Sequence, residues 1–227
     1  MKSIIYSALF LIVCTIFLSS CTGNTVKEST GRMRIINASY LSGGINIDVD
    51  YKPVYATITE YLNYSLYRDY IAGKRKLQIK NAAGNVIIDT AITIVQSESY
   101  TVVAYDSMNT ILCKIFKENY LTPKGSTCKV RFLHLSNDAP TVNIHKDGDL
   151  IPTFSNYSNG EYSEYYIYGI GATYFSVKDS ATGSTIYTQS PFAMEAGYFY
   201  TMYLKGNTTS TGIDSLGLFV ISNNGEY

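Results

Sequence analysis

The stretch "CKVRFLHLSNDAPTVNIHKDG", residues 128–148, alternates apolar and polar side chains on both sides of the turn segment "SNDAP". Alternation with a period of two is typical of β-strands with one buried face, and Ser, Asn, Asp and Pro favour turns. A second copy, "GRMRIINASYLSGGINIDVDY", occupies residues 31–51 and aligns without a gap at a constant offset of 97 residues. The chain therefore contains a repeated strand–turn–strand unit.

The repeat continues beyond this unit. The segment "YTVVAY" at Tyr100 parallels "YTMYLK" at Tyr200, and the alternating "KLQIK" parallels "YFSVK". A period near 97 residues indicates a duplicated domain, because the repeats of solenoids are several times shorter. Short strands separated by turn residues predict an all-β fold of two tandem Ig-like or transthyretin-like antiparallel β-sandwich domains, each of about seven strands.

The N-terminus predicts export. Lys2 precedes the apolar run "IIYSALFLIVCTIFL", which is too short for a stable membrane span, and "LSSC" ends at Cys21. This order of residues resembles the bacterial lipobox, which implies that the Cys21 thiol is acylated, that the peptide is then cut before Cys21, and that the new N-terminus is acylated. An ordinary signal peptide with an incidental cysteine is the alternative. We predict a cell-envelope protein, in the outer membrane and facing the periplasm or the exterior, that contacts the membrane through this lipid.

The predicted organisation has five parts. They are a lipoprotein signal peptide (1–20), a polar tether that begins with the lipidated cysteine (21–31), a first sandwich domain (32–119), a linker (120–127) and a second sandwich domain (128–227).

Composition narrows the function classes. The chain has 18 Lys and Arg against 18 Asp and Glu, so it lacks the positive charge that nucleic-acid binding requires. It has 22 tyrosines and no tryptophan. Apart from Cys14 in the signal peptide and Cys21, two cysteines remain, Cys113 and Cys128, and the sequence leaves open a disulfide between them or a buried free thiol.

Several residues carry a family resemblance. The segment "VRFLHLSNDAPTVNIHKDG", followed by "NYS" at Asn156 and by "YFYTMYL", resembles the bacterial domain family DUF4397 over residues 129–205. The second copy departs from the family pattern at Asn137, Asn143 and His145. The first copy resembles it more loosely over residues 32–105, with Asn37 in place of the histidine. The resemblance implies exported, often tandem, Ig-like domains and no particular activity.

Other features give little support for catalysis. The sequence has no nucleophile, zinc-protease or phosphate-loop motif, and Glu161 and Glu164 form a loop pair without acid–base spacing. We predict that the chain is not an enzyme and has no cofactor.

Four short Asp-Ser/Thr-apolar triplets, at Asp89, Asp106, Asp179 and Asp214, resemble an O-glycosylation motif of Bacteroidota envelope proteins.

The only two histidines offer a second hypothesis. A face made of His134, Asn143, His145 and Asp147 would bind a divalent metal weakly. The interpretation we favour is structural: His134, Ser136 and Asp138 bond to the backbone and fix the turn. No metal site is therefore predicted.

Tyrosines are the candidate binding residues. They cluster in the corresponding segments of the two copies, where aromatic rings and hydroxyls favour contacts with sugars or proteins. The speculative binding set is Tyr61, Tyr64, Tyr67, Tyr162, Tyr165, Tyr166 and Tyr168. We predict a binding or scaffolding module for an envelope protein, with two weak sites acting together across the linker. The alternative is a surface lipoprotein that binds glycans through these tyrosine-rich loops.

Overall fold

The computed structural model describes residues 28–54, 59–119 and 121–223, and this part of the chain is built almost entirely from β-strands. The only helix within these ranges is a single 3₁₀ turn, Gly212–Asp214. The all-β prediction is therefore confirmed. The signal peptide, Cys21 and most of the tether lie outside the described residues.

No helix in the described ranges is long and apolar enough to cross a membrane.

The first half of the chain forms two four-stranded sheets. The inner sheet of domain 1 has the order β4-β1-β7-β8, and the outer sheet has the order β3-β2-β5-β6. The strands are β1 (Thr30–Ala38), β2 (Ile45–Val49), β3 (Lys52–Pro53), β4 (Arg68–Ile71), β5 (Gly73–Asn81), β6 (Val86–Ile94), β7 (Ser99–Ser107) and β8 (Thr110–Lys117).

The second half repeats this arrangement. The inner sheet of domain 2 has the order β12-β9-β17-β18, the outer sheet has the order β11-β10-β14-β15, and β13 and β16 form a separate ribbon. The strands are β9 (Thr127–His134), β10 (Val142–Lys146), β11 (Phe154–Tyr157), β12 (Tyr166–Gly169), β13 (Gly171–Thr173), β14 (Phe175–Asp179), β15 (Thr185–Thr188), β16 (Phe192–Met194), β17 (Phe199–Lys205) and β18 (Gly217–Ser222).

The sequence predicted antiparallel sheets, but the two inner sheets are mixed. In each of them the two central strands run parallel: β1 pairs with β7, and β9 pairs with β17. The remaining strand pairs are antiparallel. The parallel pairing is possible because nearly the whole domain lies between the two strands and serves as the crossover connection.

The four sheets are stacked so that the two inner sheets face each other. On β1, Met33 and Ile35 belong to the core of domain 1, whereas Ile36 and Ala38 belong to a middle core. That middle core also contains Leu133 of β9 and Tyr203 of β17, which come from domain 2. Side chains of one strand point alternately to opposite faces, so each inner sheet contributes to two cores.

This double burial is visible in the strands themselves. All but the last residue of β7, and all but the last of β17, are buried. Their sequences, "SYTVVAYDS" and "FYTMYLK", contain nearly continuous apolar and aromatic runs, as is typical of strands covered on both faces.

The segment between the two domains is short. Strand β8 ends at Lys117 and β9 begins at Thr127, so the predicted linker 120–127 lies between them except for its last residue, which starts β9. Within the described part of this segment, Pro123 is buried and the backbone oxygen of Leu121 accepts a hydrogen bond from Lys129 Nζ at 2.7 Å. The domain boundaries themselves stay predictions.

Candidate functional site

The structure divides the seven predicted binding tyrosines into two groups. Tyr64, Tyr162 and Tyr166 expose 42 %, 42 % and 50 % of their surface. The remaining four are at least partly buried, so the tyrosines do not form one continuous platform. These four are Tyr61, Tyr67, Tyr165 and Tyr168.

The buried tyrosines have structural contacts. Tyr168 packs in the core of domain 2, and Tyr165 accepts a hydrogen bond from Asn223 Nδ2 at 2.7 Å. Tyr67 shares a hydrogen bond of 3.0 Å with Thr101. Burial raises the pKa of Tyr61, Tyr165 and Tyr168, because the ionised phenolate is poorly solvated inside the protein.

A buried polar network joins the two domains beneath these tyrosines. Arg131 of domain 2 donates to Glu118 of domain 1 at 2.6 Å, and Arg34 of domain 1 donates to Asn223 of domain 2 at 2.6 Å. The two arginines occupy equivalent positions in the repeat, at the offset of 97 residues. The contacts are therefore reciprocal, with each arginine reaching into the opposite domain.

Two equivalent threonines complete the network. Arg34 Nε donates to Thr101, and Arg131 Nε donates to Thr201. Thr101 donates in turn to Glu118 at 2.5 Å. These bonds matter because a charged group without compensating contacts is costly to bury. The sequence signal for the network was an arginine directly flanked by apolar residues at the same place in both copies, Arg34 in "MRI" and Arg131 in "VRF".

Tyr162 marks a cleft at the junction of the domains. Its ring packs edge to face against Phe116 of β8, with the ring centroids 4.7 Å apart. Lys114 Nζ lies 4.7 Å from the centroid of the Tyr162 ring and donates to the backbone oxygen of Gly160 at 2.5 Å. Strand β8 of domain 1 and the loop before β12 of domain 2 thus build the cleft together.

The cleft has two parts on either side of Tyr162. One has a volume of about 320 Å³ and is lined by Lys114, Asn156, Tyr157, Glu161 and Tyr162. The other has a volume of about 200 Å³ and is lined by Ile115, Phe116, Lys117, Asn119, Arg131, Tyr162, Ser163, Glu164 and Tyr165.

Local backbone contacts hold the loop that carries Tyr162. The backbone of Tyr162 forms a bridge with Leu133 of β9. Ser163 N donates to the oxygen of Phe132 at 2.8 Å, and the carboxylate of Glu161 accepts from Ser158 N at 2.7 Å. The ring of Tyr162, the ammonium group of Lys114 and the carboxylate of Glu161 are therefore held in place before any ligand binds.

The loop residues predicted from the sequence adjoin the segment that leads to Tyr162: His134 N donates to the oxygen of Glu161 at 2.9 Å, and Asn159 Nδ2 donates to the oxygen of Ser136 at 2.7 Å. His134 Nε2 is 3.0 Å from the oxygen of Pro140, and Ser136 donates to the oxygen of Gly206 at 2.8 Å. Asp138 accepts from both the backbone nitrogen and the hydroxyl of Thr208. These contacts fix the "SNDAP" turn.

The alternative metal face is not formed. His145 Nδ1 is 2.7 Å from the oxygen of Asp149, so the two histidines bond to two different loops. Asn143 instead accepts from Asn156 N at 2.8 Å. Within the described ranges, no group of three or more His, Cys, Asp or Glu residues is arranged to hold a metal ion.

Of the two alternatives for the cysteines, the structure has the free thiols at Cys113 and Cys128. Cys113 packs against the core of domain 1, whereas Cys128 belongs to the core of domain 2. Burial raises the pKa of both thiols, because the thiolate would be poorly solvated in these positions.

The fold and the cleft define the class of protein: a tandem β-sandwich protein with paired inner sheets and an inter-domain cleft. The chain belongs to the family "Domain of unknown function (DUF4397)", whose model matches residues 31–145 and 128–226. The family expectation from the sequence is thus confirmed. No curated protein matches this sequence.

Solved structures give a weak overall likeness. One is a streptococcal virulence factor described as binding α-glucan, with a TM-score of 0.25 and 13 % identity, covering 76 % of this chain and 92 % of that one. Another describes family 41 carbohydrate-binding modules from streptococcal virulence factors that recognise α-glucan, with a TM-score of 0.25 and 13 % identity, covering 79 % and 94 %.

A third is the product complex of the multi-modular glycogen-degrading pneumococcal virulence factor SpuA, with a TM-score of 0.26 and 13 % identity. It covers 79 % of this chain and 21 % of that chain. Likeness at this level carries no argument about the ligand of the present protein.

Proposed function

We propose that this chain is a non-catalytic, lipid-anchored binding protein of the cell envelope that binds carbohydrate in the inter-domain cleft at Tyr162. The observation that carries the proposal is the chemistry of the cleft. One half-exposed aromatic ring lies beside an amide, a carboxylate and an ammonium group, at Asn156, Glu161 and Lys114. Sugars present hydroxyl groups and apolar ring faces, which such groups bind.

The size of the cleft supports a small ligand. A volume of about 320 Å³ falls at the lower end of the usual range for small-molecule sites. A stable protein–protein contact needs roughly 800 Å² from each partner, which is broader than a cleft of this kind. A short stretch of glycan therefore fits this site better than a protein surface does.

A glycan array probed with the chain from residue 22 onward tests the proposal. Tyr162→Ala removes the ring at the centre of the cleft, and Tyr166→Ala is the matched control. Tyr166 is similarly exposed but belongs to β12 and packs against Phe154, outside the cleft lining. We expect binding to at least one glycan that Tyr162→Ala abolishes and Tyr166→Ala retains.

Other outcomes would contradict the proposal. Binding that Tyr166→Ala abolishes and Tyr162→Ala retains would place the sugar site elsewhere. No binding across the array would favour a protein partner. Tyr162→Phe separates the ring from its hydroxyl, and thermal unfolding of each variant verifies that the fold is intact.

A protein partner is the second candidate function, and one observation favours it. The loop between β10 and β11 carries two apolar side chains at its tip, Leu150 and Ile151, which expose 94 % and 81 % of their surface. Adjacent exposed apolar residues are typical of protein contact sites. Cross-linking in the native envelope, compared with a Leu150→Ser, Ile151→Ser variant, tests this candidate, and an unchanged set of cross-linked products would refute it.

A further inference from the structure

A second cleft lies at the edge of domain 1, on the two edge strands β3 and β4. Its volume is about 350 Å³. Val49, Val54 and Ile71 supply apolar surface, and Lys52 and Arg68 bring two positive charges into it from the outer and inner sheet respectively. The proposed glycan site does not involve these residues.

Lys52 and Arg68 both lie on the core-facing sides of their strands, where apolar side chains are usual. Lys52 is directly opposite Val49, and Arg68 is directly opposite Met33, and both of these partners belong to the core of domain 1. Directly opposed residues project from the same face of a sheet. Lys52 and Arg68 therefore project from the core-facing sides of the two sheets, at the open rim of the sandwich.

The equivalent rim of domain 2 has an aromatic residue in place of Arg68. Arg68 is opposite Met33, and at the equivalent position of the repeat Tyr166 is opposite Val130. The ring of Tyr166 packs edge to face on Phe154 at 5.4 Å. Domain 1 thus has a cation where domain 2 has an aromatic contact, so positive charge at this rim distinguishes domain 1 from domain 2.

The other charged residues that line the cleft leave it with a net positive charge. Arg75 donates to Asp50 at 3.2 Å and to the backbone oxygens of Ile71 and Ala72 at 2.9 and 2.8 Å. With Asp69 as the second carboxylate, the lining has three cations against two carboxylates. Arginine and lysine together suit phosphate, which accepts several charge-assisted hydrogen bonds.

The position of the cleft indicates where this phosphate comes from. The chain enters domain 1 beside it, since Ala72 N donates to the oxygen of Ser29 and Thr30 is opposite Ile71. The eight peptide steps from Cys21 to Ser29 span at most about 28 Å. A lipid on Cys21 would therefore keep this end of domain 1 close to the bilayer, with the exposed side chains of Ile71 and Val95 nearby.

We propose that the cleft on β3 and β4 binds the phosphate of an anionic phospholipid headgroup and thereby orients domain 1 on the membrane. This inference rests on the proposed lipid anchoring and is independent of the glycan site. A lipid chain and a basic surface together hold a protein on a membrane more firmly than either does alone. The bound headgroup would fix the direction in which the Tyr162 cleft is presented.

Hydrogen–deuterium exchange on reconstituted protein tests this inference. The full-length protein, purified from membranes of the cells that express it, is reconstituted in vesicles of phosphatidylcholine alone or of equal parts phosphatidylcholine and phosphatidylglycerol. We expect the anionic vesicles to slow exchange in residues 49–54 and 68–76. Arg68→Gln and Lys52→Gln should each remove most of that difference. Lys178→Gln, which removes a lysine of β14 in domain 2, should leave it unchanged.

Three results would overturn the inference. The first is equal exchange in the two kinds of vesicle, and the second is a difference that survives in both Arg68→Gln and Lys52→Gln. The third is equal protection by soluble glycerol phosphate without vesicles, which would show a soluble anion as the ligand. Glycan binding by Arg68→Gln separates the two proposals, because this variant leaves the Tyr162 cleft intact.

Discussion

The two domains share a strand pattern but hold their first loop in different ways. In domain 1 the carboxylate of Asp106 accepts from the Ser39 hydroxyl at 2.6 Å and from Tyr40 N at 2.9 Å. In domain 2 the equivalent serine, Ser136, donates to the backbone oxygen of Gly206. The duplicated fold thus keeps a hydrogen-bond acceptor at this place, while the group that supplies it has changed.

The domain interface shows the same kind of divergence. Glu118 and Asn223 follow the last strand of their domains. The backbone nitrogen of each donates to the oxygen of the first residue of the paired strand, which is Ser99 in domain 1 and Phe199 in domain 2. Glu118 accepts from an arginine as an ion pair, whereas Asn223 accepts from the other arginine as a neutral amide. One half of a reciprocal contact is therefore ionic and the other half is not.

Among the substitutions that test this comparison, we expect Glu118→Ala to lower the free energy of unfolding the most. Glu118→Ala removes the carboxylate that accepts from buried Arg131, and breaking a buried ion pair costs about 3–5 kcal/mol of unfolding free energy. Asn223→Ala leaves polar groups unpaired without removing a charge, so its cost should be about 1–3 kcal/mol. Urea denaturation followed by near-ultraviolet circular dichroism measures both.

Glu98→Ala is the control for this comparison. Glu98 pairs with exposed Lys117 at 2.9 Å, and a surface pair contributes about 0–1 kcal/mol. If Glu118→Ala destabilises no more than Glu98→Ala does, the buried network does not hold the domains together.

The next largest loss of unfolding free energy is expected for the first loop of domain 1, compared with the first loop of domain 2. Asp106→Ala leaves the Ser39 hydroxyl and two backbone N–H groups without their acceptor, and should cost about 1–3 kcal/mol. Asp138→Ala removes an exposed acceptor of Thr208 in domain 2, and should cost about 0.5–1.5 kcal/mol. Hydrogen exchange should show faster opening of residues 39–42 in the first variant alone. Equal costs would mean that the two domains hold their loops equally.

The smallest effect is a difference in acid sensitivity. Burial lowers the pKa of His134, partly offset by its contact with the oxygen of Pro140 and by the charge of Glu161. The unfolded chain therefore binds a proton at His134 at a pH where the folded protein does not. This contribution to stability is complete above the unfolded pKa of about 6.5, and is lost as the pH falls through the lowered folded value.

Asn37 occupies the equivalent position in domain 1 and does not titrate; its amide donates to the oxygen of Thr59 at 2.9 Å. His134→Asn should therefore make the unfolding free energy of the protein less dependent on pH between about 7 and 5. Denaturation midpoints at several pH values, for the variant and the natural protein, measure this difference. Parallel curves for the two proteins would contradict the expectation.

Much of the architecture could be predicted from local sequence. Strand periodicity and turn residues predicted an all-β chain. The sequence repeat was found from arginine and serine positions that recur at an offset of 97 residues. It matches the repeated sheet order of the structure. Tyr162, which lines the candidate cleft, was one of the seven tyrosines that the sequence marked as binding candidates, since its segment is rich in tyrosine. Its partners Lys114 and Phe116 were missed, because they lie in the other domain and no local pattern joins them to Tyr162.

The burial of Tyr165 and Tyr67 was missed for a related reason. A period of two shows which side chains share a face, but it does not show what covers that face. The nearly continuous apolar runs of β7 and β17 were the signal that both faces are covered. Cys113 and Cys128 illustrate the same limit, since they are near in sequence but belong to separate cores.

The sequence by itself determined the strands, the turns and the duplication, because these depend on neighbouring residues along one chain. Only the tertiary structure decided that the inner sheets pack on each other, and that Arg34 and Arg131 reach into the opposite domains. It also decided which tyrosines stay exposed beside a cleft. The physical reason is that burial and electrostatic contacts depend on what lies across an interface, and no local pattern identifies the residues that meet there: Arg34 and Asn223 are 189 positions apart in the chain, and Arg131 and Glu118 are 13 apart.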